Sequence, residues 1–196
     1  MKTQSSRRQG GFTLVELLVV IAIIAVLAGA GFAAGNAAVQ KARKVTALAA
    51  ATSLEAAVNS YFNEYSSMPK EDMTTDTEID TKIDKDFLKV LLGMETGTNA
   101  LNTKSIKFLQ AKEGKNGKGG LIYSGSGKAQ TIESYIDPWG GSYKVMLDGD
   151  YDEIVEVKTK GETKKTSLNG RRVAVWSDGA DGVSTTGKAN DDVKTW

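Results

Sequence analysis

The chain has 196 residues, with 25 Lys and Arg against 24 Asp and Glu, and it contains neither His nor Cys. That composition excludes a histidine general base, a thiol nucleophile and a zinc site built on nitrogen or sulfur, so any metal must be held by oxygen. A net charge of +1 gives no global attraction for nucleic acid, and no disulfide can support the fold outside the cytoplasm.

The first eleven residues carry Lys2, Arg7 and Arg8 and no acid, the pattern of a basic region ahead of a signal or anchor. Leu17 to Gln40 follows as 24 residues without one charged side chain. As a helix this run would be about 36 Å long, enough to cross a bilayer core of about 30 Å. Lys41, Arg43 and Lys44 balance the basic leader, so the positive-inside rule alone sets no orientation. Ala28-Gly29-Ala30 offers small residues for an ordinary signal cleavage. Glu16 argues against that reading, because an ionised carboxylate at membrane depth costs about 2.5–3.5 kcal/mol and calls for a partner. A cut after Gly11 would create a positive amino terminus at Phe12, within about one turn of Glu16, on the same chain or a neighbour.

Gly10-Gly11-Phe12-Thr13-Leu14-Val15-Glu16-Leu17-Leu18-Val19-Val20 resembles the prepilin processing site shared by type IV pilins and type II secretion pseudopilins. The resemblance implies cleavage by a prepilin peptidase between Gly11 and Phe12 on the cytoplasmic side, and methylation of the Phe12 amine. It also implies that Glu16 docks an incoming subunit on the amino terminus of its neighbour in a filament.

Without the leader the side-chain balance is 22 basic to 24 acidic, or −2, so the rest is not a basic binder and no nucleic acid partner is expected. The absence of Pro until Pro69, and the spacing of Ala47, Ala51, Leu54, Val58, Tyr61 and Tyr65 by fours and threes, predict one helix from Phe12 to about Tyr65. Its second half is amphipathic, with Lys44, Glu55, Asn59 and Asn63 off the stripe, and should lie on a globular head. Gly29, Gly31 and Gly35 mark either a hinge or a site of close helix packing. Ser66 to Lys85 reads as a polar surface loop. Phe87, Val90, Leu91 and Met94 predict a short helix, Ser105 to Ala111 a further short element, and Gly114 to Gly120 a flexible Gly/Lys loop. Tyr143 to Leu147, Ile154 to Lys158 and Arg172 to Trp176 are β-prone runs of one small antiparallel sheet, the first two separated by Asp148-Gly149-Asp150. Asp137-Pro138-Trp139-Gly140 forms a tight entry, with Trp139 in the core.

Beyond the third run, Asp178, Asp181, Asp191 and Asp192 gather in a Gly-containing segment, an oxygen-rich set suited to a hard cation such as Ca²⁺, though without EF-hand spacing. Gly179-Ala180-Asp181-Gly182, followed by Asp192-Val193 and Trp196, resembles the C-terminal calcium loop of the major pseudopilin of type II secretion. The resemblance implies Asp181 and Asp192 as acidic ligands. Asp178 falls where that family uses a backbone carbonyl, and Asp191 is an additional candidate. Val183 to Asn190 departs from the family's glycine-rich run, and the region from Ser66 to Ile136 is longer than in a compact major pseudopilin.

The expected fold class is α+β and pilin-like, with a long N-terminal helix packed by its second half on a small antiparallel sheet. The expected organisation is a leader at 1–11, a transmembrane and filament-core helix at 12–35, and a periplasmic head at 36–196. Within the head lie an amphipathic helix at 36–65, a variable region at 66–136, and the sheet and acidic loop at 137–196. The implied role is structural rather than enzymatic: a single-pass inner-membrane subunit, N-terminus cytoplasmic, that polymerises with its own copies into a secretion pseudopilus. Its implied partners are the prepilin peptidase, minor pseudopilins and an inner-membrane assembly platform. A type IV pilin or minor pilin shares most of these features; a membrane-anchored exported enzyme fits less well, since no nucleophile-base pair is recognisable.

Overall fold

The computed structural model describes residues 12–125, 127, 130–158, 164–182 and 192–196, the side chains of 30–34 excepted. The expected leader with Gly11, the stretch 183–190 and Asp191 lie outside the described residues. The chain divides into a unit ending at Lys41 and a unit from Ala42 to Trp196.

Helix α1 runs unbroken over Leu14–Tyr65. The glycine cluster does not interrupt it, and a Cβ built on Gly29 or Gly35 meets nothing within 4 Å. The expected stripe is the buried one: Ala47, Ala51, Leu54, Val58 and Tyr61 are sealed in the core of the second unit. Burial of a side chain such as Leu54 or Val58 is worth about 1.5–3 kcal/mol, far more than helix propensity at a single position. On the flank of the stripe Glu55 accepts from Arg171, 3.1 Å away, and the same guanidinium nitrogen donates to the Thr195 carbonyl at 3.2 Å.

The strands are β1 (Thr77–Asp80), β2 (Gly120–Ser124), β3 (Thr131–Ile136), β4 (Lys144–Leu147), β5 (Ile154–Val157), β6 (Thr166–Asn169), β7 (Val173–Ser177) and β8 (Val193–Lys194). Helix α2 (Lys85–Leu92) lies between β1 and β2. Four strands form an antiparallel sheet in the order β1-β4-β7-β8, while β2-β3 and β5-β6 are separate antiparallel pairs. Val145, Leu147, Val173 and Val175 join the core that holds the α1 stripe, so a long helix carries a small antiparallel sheet in an α+β, pilin-like architecture.

The middle of the chain is more structured than its polarity predicts. Helix α2 starts at Asp84, whose carboxylate accepts the Phe87 N–H at 3.1 Å, and stops at Gly93. At Gly93 φ is +64°, and a Cβ would stand 2.6 Å from the Ser105 carbonyl oxygen, so only glycine fits. Phe87, Leu88, Val90, Leu91 and Leu92 are all buried. Asn102 is buried too and fully occupied. Its amide donates to the carbonyls of Val90 (2.8 Å) and Ile106 (2.7 Å), while its oxygen accepts from the Tyr65 hydroxyl (2.8 Å) and the Ile106 N–H (3.0 Å). Thr81 joins β3 to β4, its hydroxyl donating to the Tyr135 or Tyr143 carbonyl and accepting the Tyr143 N–H at 2.9 Å.

Several sequence expectations are corrected. Ser66 to Lys85 is not all loop, because it supplies edge strand β1 and the buried Met68 and Ile79. Ser105 to Ala111 has no regular structure, whereas Gly114 to Gly120 leads into β2. The run at Ile154 does not share a sheet with the run at Tyr143. After Leu147 the chain makes a broad turn in which Tyr151 and Glu153 have φ of +62° and +63°, and β5 leaves to pair with β6. Asp148 holds that turn by accepting the N–H groups of Asp152 (3.2 Å) and Glu153 (3.0 Å). Burial raises the Asp148 carboxyl above its ordinary value and outweighs those backbone bonds. Trp139 is half-buried against the core rather than inside it.

Candidate functional site

The N-terminal candidates sit where α1 begins. Phe12 is 84% exposed. Thr13 and Glu16 form a reciprocal cap: the Thr13 N–H and hydroxyl donate to Glu16 Oε2 at 2.8 and 2.7 Å, and the Glu16 N–H donates to Thr13 Oγ1 at 3.2 Å. This is a capping box, which satisfies backbone donors that a helix start leaves open. Glu16 therefore has a local hydrogen-bond complement that the sequence did not reveal. From Leu14 to Leu27 every large apolar side chain is exposed, the least of them, Val20, by 45%. Such a surface on all sides of a helix demands lipid or other protein.

Among the described residues no helix is long and apolar enough to cross a membrane. The stretch from Leu14 to Gly29 would measure about 24 Å, short of a bilayer core. The apolar run read in the sequence continues through 30–34, whose side chains lie outside the described residues.

The acidic loop is anchored by Asp137, which is 1% exposed. Its Oδ1 accepts the N–H groups of Trp139, Gly140 and Gly141 at 2.9, 2.8 and 2.8 Å, and its Oδ2 accepts the Ser177 hydroxyl at 2.6 Å. The Ser177 oxygen in turn accepts the Gly179 N–H at 3.2 Å. The tight entry at Asp137-Pro138-Trp139-Gly140 is thus wired to the end of β7 and the start of the loop. Sequence reading found the turn but not this second role, since 40 residues separate Asp137 from Ser177.

The candidate ligands diverge as far as they are described. Asp178 is half-buried and lines a cleft of about 520 Å³ with Glu78, Asp137, Lys144 and Gly179. Burial raises the Glu78 carboxyl, Lys144 opposes this, and Asp80 and Asp178 add to the rise. Asp181 is exposed and absent from that lining. Asp192 is buried and faces a different depression, beside Lys44, Leu48 and Lys194. Among the described residues Asp178, Asp181 and Asp192 do not converge as a three-carboxylate group. Gly179 and Gly182 have φ of +69° and +66°, the conformations for which glycine is favoured in a loop of this kind.

The family model for the prokaryotic N-terminal methylation motif matches residues 6–32. No curated protein and no solved structure matches the chain significantly. The motif implies processing by a prepilin peptidase and assembly into a filament, and it points to a membrane-anchored N-terminus and a structural rather than an enzymatic protein. A long N-terminal helix that begins within that motif, followed by a small antiparallel sheet, supports a type IV pilin-like protein.

Proposed function

We propose that the chain is a structural subunit of a type II secretion pseudopilus. In this reading a prepilin peptidase cuts between Gly11 and Phe12 and the new amine of Phe12 is methylated. The protein waits in the inner membrane with its N-terminus cytoplasmic and its head in the periplasm, and copies then polymerise with the help of an assembly platform and minor pseudopilins. The observation that carries the reading is the exposed apolar surface from Leu14 to Leu27, lying directly behind the processing motif. In a filament, neighbouring helices replace lipid around that surface, and the carboxylate of Glu16 meets the amine of a neighbour's Phe12 in a medium of low dielectric, where an ion pair is strong.

The secretion assignment, over a type IV pilus serving adhesion, motility or DNA uptake, rests on the likeness of Gly179-Ala180-Asp181-Gly182, Asp192-Val193 and Trp196 to a pseudopilin calcium loop. Asp181 and Asp192 would be the acidic ligands, with Asp178 and Asp191 as further oxygen donors, and Ca²⁺ would hold the loop in one conformation.

N-terminal sequencing of the mature protein tests the processing step, and methylated Phe12 is the expected start. Glu16→Ala should leave cleavage intact and abolish polymer; filaments of normal length in that variant would refute the pairing role. A Ca²⁺-induced rise in melting temperature that disappears in Asp181→Ala supports the loop site, and a rise unaffected by that substitution counts against it.

A further inference from the structure

Two surfaces of the second unit complement each other in chemistry. The first is a groove of about 400 Å³ along α1 from Val45 to Ser53, with Ala49, Ala111, Ile136 and Pro138 among its apolar lining. Its rim is basic. Lys112 lines it directly, and the Lys118 side chain lies against Gly140, where a Cβ would stand 3.6 Å from the Lys118 Cε. Paired backbone bonds of 3.0 and 3.1 Å hold Lys115 and Lys118 at the two ends of a tight Asn116-Gly117 turn. Lys112, Lys115 and Lys118 are exposed, and the only acid between the first and last of them is Glu113. Among the described residues none of the three lysines forms a salt bridge.

The second surface is the turn after Leu147. Tyr151 is 49% exposed there and Ile154 is exposed too, in a stretch that also presents Asp150, Asp152 and Glu153 to solvent. Glu153 is paired with Arg172, whereas among the described residues Asp150 and Asp152 form no salt bridge. Tyr151 has φ of +62°, a costly conformation for a bulky side chain, which the surrounding contacts must enforce. Its hydroxyl accepts the Met68 N–H at 3.3 Å, and its ring centroid lies 6.2 Å from that of Phe62. The strained backbone therefore fixes an aromatic ring with one side towards solvent, flanked by acids. A rigid, half-exposed tyrosine is the kind of side chain that anchors protein contacts.

The turn is tied to Phe62 and Met68, about 14–26 Å along α1 from the groove residues Ser53 to Val45, so it cannot fill the groove of its own chain. We propose that the turn of one copy seats in the α1 groove of a second copy, with Tyr151 and Ile154 on the apolar lining and Asp150 and Asp152 facing Lys112 and Lys118. The apolar contact supplies the burial, and the opposite charges at the rim fix the register. This deepens the filament reading, on which it rests, by naming a contact between heads. The two patches differ, so the contact is heterologous, and each copy keeps a free groove or a free turn for the next, as an open polymer requires.

Because the natural chain contains no Cys, Lys115→Cys and Asp152→Cys place one thiol each in two full-length chains. Mixed in detergent with a short bismaleimide, they should give a mixed dimer at least tenfold above the dimer of either variant alone. Lys118→Glu in the first chain should cut that yield at least fivefold, and Asp150→Lys in the second should restore it. All four positions are exposed, so unchanged melts certify the folds, and restoration by a second charge reversal excludes misfolding as the cause. A mixed dimer no more abundant than either single dimer, or a yield indifferent to the charge reversals, overturns the contact. A groove occupied by a different protein gives that same failure. The filament reading is judged separately, by methylated Phe12 and by loss of polymer in Glu16→Ala, neither of which depends on this contact.

Discussion

Asp137→Ala isolates the bond network that joins the sheet entry to the acidic loop. The substitution removes four hydrogen bonds to one carboxylate. A hydrogen bond to a charged group contributes about 1.5–3 kcal/mol, but the sum is not the cost. Gly141 is exposed and Trp139 and Gly140 half-buried, so their N–H groups can turn to water. Ser177 is 0% exposed, and its hydroxyl keeps no such option. Counting that orphaned hydroxyl in full and the backbone donors in part gives about 3 kcal/mol, most of it from Ser177 and one N–H. For a unit of this size the melting temperature should fall by about 6–12 °C, read from the near-ultraviolet dichroism of Trp176 and Trp139 in the full chain. Asp137→Asn keeps the Oδ1 acceptor and turns an amide towards Ser177, so it should cost about half as much. A loss under about 1 kcal/mol in Asp137→Ala would show that the turn and the end of β7 hold their positions without the carboxylate, contrary to the role given to it here.

Two further outcomes follow from buried Asn102 and half-buried Asp80. Asn102→Ala strands the Tyr65 hydroxyl, the Ile106 N–H and the carbonyls of Val90 and Ile106, and should cost about 3 kcal/mol in a chemical denaturation series without changing the slope. At Asp80 burial acts to raise the carboxyl, but Lys144, the Lys82 N–H and Ser142 together hold it below its ordinary value of 3.8. An acid with a depressed folded value stabilises above that ordinary value, and the contribution is lost as pH falls through the folded one. Melting temperatures from pH 6 down to pH 2 should therefore decline less steeply in Asp80→Asn than in the natural chain.

Long-period patterns were legible in the sequence and short ones were not. The α1 stripe from Ala47 to Tyr61 repeats over several turns and the apolar face of α2 over about two, and both elements formed. The β-prone runs at Val145, Val155 and Val175 were visible because each joins buried valine to other apolar residues over a short stretch. Their pairing was not. Strand β6 reads Thr-Ser-Leu-Asn with no residue fully buried, β1 buries only Ile79, and β8 is two residues long, so none carries an alternation that a sequence reader could detect. At the candidate sites, Phe12 and Glu16 were marked by local motif. The wiring of Asp137 to Ser177 depends on sheet register, and no spacing in the sequence announces it.

If Glu16 pairs with a neighbour's amine as proposed, the Thr13–Glu16 cap would make polymer growth an exchange rather than a simple addition. In the proposed filament, a neighbour's amine arriving at the Glu16 carboxylate would compete for an oxygen already shared by the Thr13 N–H and hydroxyl. In that reading the driving force for joining would be the difference between two bonded arrangements, which is smaller than the strength of the new one alone. On the proposed function, the threonine at the first turn would set a threshold, because an isolated subunit already has its acid bonded and an arriving terminal amine would have to displace those bonds.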